Sequence, residues 1–239
     1  MGQKTVKIVV GEGESAKDFV VHKDILMNKI LFFENMFSSE FLESSGSLAT
    51  LPEDSPEAFE VLIEWVYCST LKPLHKSGNP DPYLADLAIL TIGLAEKYML
   101  PELGDRAMSL LAKVGEDLVP TMGQMSTLYE QTSFYSKARL YAARTVAWAL
   151  VNPETNGVSS ISIQTACKDS DLLLDAITEV RGTRGHDRDR AHVYPVCDYH
   201  NHVKTLECPY EGHDQTASQR NRNSKHNKNP KHSGNSKNN

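Results

Sequence analysis

Phe19-Val20-Val21-His22-Lys23-Asp24-Ile25-Leu26 changes period in mid-run. Phe19 to His22 is a short aromatic and β-branched stretch, a strand signal. Ile25, Leu26, Ile30 and Phe33 then recur three to four residues apart, as on one face of a helix. Upstream, Val6 to Val10 is a compact β-branched run closed by Gly11-Glu12-Gly13. Two such runs joined by a polar, glycine-bearing link predict a β-hairpin. Downstream, Phe32-Phe33-Glu34-Asn35-Met36-Phe37 crowds four large apolar side chains into six positions, enough to cover a small sheet that could not stand alone. Leu48 to Leu51 is a candidate third strand.

Beyond residue 55 the pattern is helical. Ser55-Pro56-Glu57 combines a cap, a first-turn proline and an early acid, and Phe59, Leu62, Ile63, Val66 and Tyr67 form the apolar face that follows. A loop carrying Pro73, Gly78, Pro80 and Pro82 precedes a helix faced by Leu84, Leu87, Ala88, Leu94, Ala95 and Tyr98. Pro101 ends it and starts another, bearing Leu103, Ala107, Leu110, Leu111 and Val114. After Pro120, a short helix around Met122 to Tyr129, a longer one from Ala138 to Leu150 and an amphipathic stretch from Asp171 to Val180 are expected. Strands first and helices afterwards indicate an α+β domain with a helical extension. No fixed-period repeat is present.

The ordered set of motifs resembles the BTB/POZ domain. In that family a strand ends in His, a Leu follows four residues later and a paired-aromatic helix comes next, as in His22, Leu26 and Phe32-Phe33. Leu51-Pro52-Glu53-Asp54-Ser55-Pro56-Glu57-Ala58-Phe59 is similar to the family's exit from the third strand into a Pro-Glu-Ala-Phe helix. Trp65-Val66-Tyr67 matches its aromatic-x-Tyr ending. Ala95-Glu96-Lys97-Tyr98-Met99-Leu100-Pro101-Glu102-Leu103 looks like the closing helix. The likeness spans roughly residues 5–113. Two places depart from the pattern: Lys4-Thr5 stand where an acidic residue is common, and Asn28-Lys29-Ile30-Leu31 where serines are usual. The resemblance implies a small three-stranded sheet covered by helices. The expected organisation is a BTB/POZ core at 4–74, its closing helices at 75–118, a helical extension at 119–181, a Cys/His-rich loop at 182–213 and a disordered basic tail at 214–239.

Charge narrows the function classes. The net charge of −6 is a composite. Residues 214–239 carry Arg220, Arg222, Lys225, Lys228, Lys231 and Lys237 against Asp214 alone, net +5, which leaves −11 on residues 1–213. An acidic body is a poor match to a dedicated nucleic-acid-binding fold. The tail has no aromatic residue to stack on bases, and Ala217 is its only aliphatic residue, so disorder is expected there. No run of 18 apolar residues exists to span a bilayer. The first residues show no apolar signal core, and four scattered cysteines do not make a disulfide framework. The expectation is a cytoplasmic or nuclear protein.

Three stretches carry candidate chemistry. Gly11-Glu12-Gly13-Glu14-Ser15-Ala16 fits the letters of a dinucleotide fingerprint, but a strand follows it where that site needs a helix, and its glutamates would repel phosphate. A hairpin turn is the better reading. No Walker A, G-x-S-x-G or H-E-x-x-H sequence occurs, so no enzyme is expected. Phe41-Leu42-Glu43 follows the aromatic helix where cullin-binding BTB members carry a hydrophobic-x-acid motif. An apolar anchor beside a carboxylate has the layout of an interface hot spot; the alternative is a solvated helix end with Phe41 against the core. Cys197, His200, His202, Cys208 and His213 bring tetrahedral zinc ligands together within 17 residues. Their spacing, C-x2-H-x-H-x5-C-x4-H, is not a standard finger. Residues 186–232 hold seven of the nine histidines, so an unordered His-rich loop competes with a structural zinc site. Cys197, His200 and Cys208 are the favoured ligands, with His202 and His213 competing for the fourth place.

The resemblance implies a non-catalytic protein–protein interaction module that forms a homodimer and recruits partners. One role it implies is a substrate adaptor joining a client protein to a cullin-type ubiquitin ligase through Phe41 and Glu43. The alternative is a nuclear scaffold or transcriptional cofactor, and a zinc-dependent enzyme is the outsider.

Overall fold

The computed structural model describes residues 4–38, 48–71, 81–152, 163–164, 168–182, 189–202 and 208–210. Phe41, Leu42, Glu43, His213 and the basic tail at 214–239 lie outside them.

Strand β1 (Thr5–Val10) alternates strictly enough to bury Val6, Ile8 and Val10 on one face. It pairs antiparallel with β2 (Lys17–His22), Val6 opposite Val21 and Ile8 opposite Phe19. On its other edge it pairs parallel with β3 (Leu48–Leu51), Ile8 opposite Ala49 and Val10 opposite Leu51, giving the order β2-β1-β3. A parallel neighbour requires a long crossover, and the segment between β2 and β3 supplies it with helices α1 (Lys23–Lys29) and α2 (Leu31–Ser38). The two helices break at Ile30, which is extended and fully buried. Gly11 leaves β1 at φ +86°, donates its N–H to Leu51 O at 3.0 Å, and would bring a Cβ to 3.0 Å from the Pro56 ring. Left-handed backbone and close approach coincide there, which only glycine tolerates.

Helix α3 (Pro56–Cys68) opens as its sequence implies: Ser55 Oγ accepts from Ala58 N–H at 3.2 Å, with proline in the first turn. Helix α4 (Pro82–Lys97) begins at a proline that sequence reading assigns to the preceding loop, because Asp81 caps it by accepting from Tyr83 N–H at 3.0 Å. It ends in a Schellman arrangement. Leu100 N–H donates to Ala95 O at 2.7 Å and Met99 N–H to Glu96 O at 3.1 Å, with Met99 in the left-handed region at φ 56°. Then come α5 (Pro101–Asp117), α6 (Met122–Glu130, with a reciprocal Thr121/Gln124 capping box), α7 (Ala138–Val151) and α8 (Ser170–Gly182).

These elements build two hydrophobic cores. One lies between the sheet and α1 to α3 and takes in Leu94, Ala95, Tyr98 and Leu103. The other joins Leu84, Ala88 and Ile92 of α4 and Ala107, Leu111 and Val114 of α5 to α6, α7 and α8. Helices α4 and α5 therefore belong to both, and packing continues across residue 118. Past α8 the sequence has no helical or strand period, and the described segment 189–202 holds just two 3-10 turns, Ala191–Val193 and Val196–Asp198. It has no core of its own. Ala191, Tyr199 and His200 instead insert beside the helices and are buried.

Candidate functional site

The aromatic helix is the pivot of the N-terminal core. Phe33 is fully buried and its ring lies 6.1 Å from Phe37, 6.2 Å from Phe59 and 5.5 Å from Tyr98. Tyr98 donates its hydroxyl to Asp54 Oδ2, and Lys97 Nζ meets Asp54 Oδ1 at 2.7 Å. The loop after β3 is thereby tied to the end of α4. Burial, with Asp54 as acceptor, pushes the Tyr98 phenol well above its ordinary pKa. At the end of β2, His22 meets the end of α3: its backbone N–H donates to Tyr67 Oη at 3.0 Å and its Nδ1 lies 2.8 Å from the same oxygen. The histidine that ends the strand and the tyrosine of the aromatic-x-Tyr motif are thus one contact. Gly11 to Ala16 forms the link between β1 and β2, with a 3-10 turn at Gly13–Ser15 and a strand directly after it. The hairpin reading stands, because a strand and not a helix follows the turn.

The family model of the BTB/POZ domain matches residues 3–103. Residues 3–103 form a BTB/POZ domain. A search of curated proteins gives no match to the chain. BTB/POZ domains are generally protein-interaction modules rather than enzymes, and they typically mediate homo-oligomerisation and partner binding. The matched region includes the sheet, α1 to α4 and the first residues of α5, so the BTB core ends inside the helix pair that also supports the extension. Among the motif residues of the BTB domain, Phe41, Leu42 and Glu43 fall outside the described residues.

The second constellation lies beyond the BTB domain. Cys197, His200, His202 and Cys208 converge so that one ligand atom from each lies within 4.8 Å of the others. Cys208 Sγ is 3.3 Å from His200 Nδ1 and 3.5 Å from His202 Nε2. His213, the competing fourth candidate, lies outside the described residues. The α5 helix positions the group. Asp105, fully buried, accepts the backbone N–H of Asn201 at 2.6 Å and of His202 at 3.0 Å. Ser109, one turn further on, lies 3.0 Å from His200 Nε2. Lys137 donates to His200 O. Arg144 on α7 donates to Asp198 Oδ2 at 2.9 Å and to Tyr199 Oη at 3.2 Å, and Tyr199 Oη donates to Ala191 O at 2.7 Å. Tyr210 closes the outer side, its ring 6.0 Å from His200 and 5.6 Å from His202, with Arg106 stacked beyond it.

Electrostatics follow from burial. Desolvation, with His202 and Lys137 nearby, holds the His200 imidazole down at about 4, so it is neutral at ordinary pH. Desolvation raises the Asp105 carboxyl above its usual value, against the opposing pull of its two backbone N–H bonds. Sequence reading names the four Cys and His residues but misses Asp105, Ser109, Lys137 and Arg144. The available signal was the second stripe of α5, where Asp105, Ser109 and Ala112 recur at helical spacing apart from the Leu103–Ala107–Leu111 face. Near the same end of the molecule a cleft of about 260 Å3, lined by Met99, Gly104, Met108, Tyr135, Tyr199 and Asn201, runs between α4–α5 and the α6–α7 connection.

Proposed function

We propose that the chain is a non-catalytic interaction module that dimerises through its BTB domain and presents a client protein to a cullin-type ubiquitin ligase. The observation that carries this reading is the BTB domain at residues 3–103, with Phe41-Leu42-Glu43 placed three residues after the aromatic helix ends at Ser38. Phe41 supplies an apolar anchor for a partner pocket, and Glu43 pairs with a basic rim. The helices past residue 118 share a core with α4 and α5, so a client held there would be rigidly placed relative to the BTB domain. The basic tail favours a second reading, a nuclear scaffold or cofactor, because six cations stand against one acid.

Affinity purification of the full chain from cells, followed by mass spectrometry, tests the adaptor role. A cullin should co-purify with the wild type and disappear with the Phe41→Ala, Glu43→Lys double variant. A cullin retained by the variant sinks the site assignment; exclusion of the intact protein from nuclei removes the scaffold reading.

A further inference from the structure

We propose that Cys197, His200, His202 and Cys208 bind one Zn2+ in a closed, structural Cys2His2 site that cross-links the C-terminal segment where it docks on helix α5. This goes beyond the interaction role and does not depend on it. Thiolate and imidazole are the donors zinc prefers, and four of them complete its tetrahedral shell. With Zn–S of ~2.3 Å and Zn–N of ~2.0–2.1 Å, a tetrahedron places sulfur and nitrogen ~3.6 Å apart. The Cys208 sulfur lies 3.3 Å and 3.5 Å from the two imidazole nitrogens, so two edges of that tetrahedron already have the right length. No separation in the set exceeds 4.8 Å, and a contraction of about 1 Å brings the longer ones into range.

The surroundings are those of a built metal site rather than a chance cluster. His200 turns Nδ1 toward Cys208 and Nε2 toward Ser109 Oγ at 3.0 Å. With Nδ1 on the metal, Nε2 carries the proton and donates to Ser109, the outer-shell bond that orients a ligating histidine. Asp105 fixes the backbone of Asn201 and His202, which sets the second imidazole. Tyr210 covers both rings. Two thiolates balance the charge of the ion. All four positions are taken by protein, leaving none open for a water or substrate, so the site is structural and the zinc-enzyme reading loses its coordination vacancy. A segment with no core of its own gains its order from the metal.

The full chain, made without a polyhistidine tag, is analysed for metal after dialysis, and Co2+ is titrated into metal-stripped protein. About one zinc per chain is expected, and Co2+ should give the thiolate charge-transfer and strong visible bands of a tetrahedral thiolate–imidazole site. Zinc content should fall about tenfold or more in Cys197→Ser/Cys208→Ser and in His202→Ala, and stay at wild-type level in His213→Ala. Wild-type protein with less than about 0.1 zinc per chain and no cobalt spectrum overturns the proposal. So does zinc retained by the double cysteine variant, which would place it on the His-rich tail, or an intact mass showing a Cys197–Cys208 disulfide. Loss in His213→Ala with retention in His202→Ala overturns the fourth ligand. If the double cysteine variant fails to fold, the wild-type cobalt spectrum decides, because histidines alone give no thiolate charge transfer.

Discussion

Replacing Asp105 with alanine should unfasten the C-terminal segment while leaving the sheet folded. Asp105 is fully buried on α5, and its carboxylate accepts two backbone N–H bonds from Asn201 and His202. Hydrogen bonds to a charged group contribute about 1.5–3 kcal/mol each, and the stranded N–H groups add a desolvation cost unless they reach water. The carboxylate offsets part of this, since its own burial is unfavourable, as its raised pKa shows. A net loss of about 3 kcal/mol is reasonable for the pair. The loss cannot exceed the free energy that docks the segment, because past that point residues 189–202 simply come away. At 1.36 kcal/mol per decade, 3 kcal/mol corresponds to exchange of the Asn201 and His202 amides faster by on the order of 100-fold. Hydrogen exchange read by NMR measures this residue by residue, with the β1 amides as internal control. Asp105→Asn keeps one acceptor and should lose about half as much. Unchanged exchange at Asn201 and His202 in Asp105→Ala, or equal loss throughout β1, would show that Asp105 does not hold the segment on α5.

Two further substitutions test the BTB core. Phe33→Ala removes a fully buried ring packed against Phe37, Phe59 and Tyr98 and should cost about 3–5 kcal/mol in urea unfolding; a change below about 1 kcal/mol would mean that α2 does not close this core. Met99→Gly relieves a left-handed residue whose side chain is 73% exposed, so little packing is lost and stability should rise by about 0.5–1 kcal/mol, read as a higher thermal midpoint. A lower midpoint would show that Met99 makes contacts that outweigh its backbone strain.

Local signals carried much of the fold. Pro56 behind its Ser55 cap marked the start of α3 and Pro101 that of α5, and the change of period at His22 placed the turn from β2 into α1. Pro82 reads as loop beside Pro80, and only the Asp81 cap makes it the first residue of a helix. The break at Ile30 was not legible, because Ile30 keeps the apolar spacing of a continuous helix while its backbone turns extended. Nor was the parallel pairing of β1 with β3, which is set by the crossover and not by any residue pattern. The Cys and His residues were visible as a composition, yet the choice among them is made by α5. Asp105 is 96 residues from Asn201, and no window of sequence joins them. The shared second core was hidden for the same reason: a helix buried on two sides, such as α4, shows a weak amphipathic pattern.

The adaptor role is tested most directly by binding between purified full-length protein and a purified cullin, measured by calorimetry. The wild type should bind saturably, and Phe41→Ala, Glu43→Lys at least tenfold more weakly, a loss of about 1.4 kcal/mol or more. No binding by the wild type, or equal binding by the variant, would contradict it.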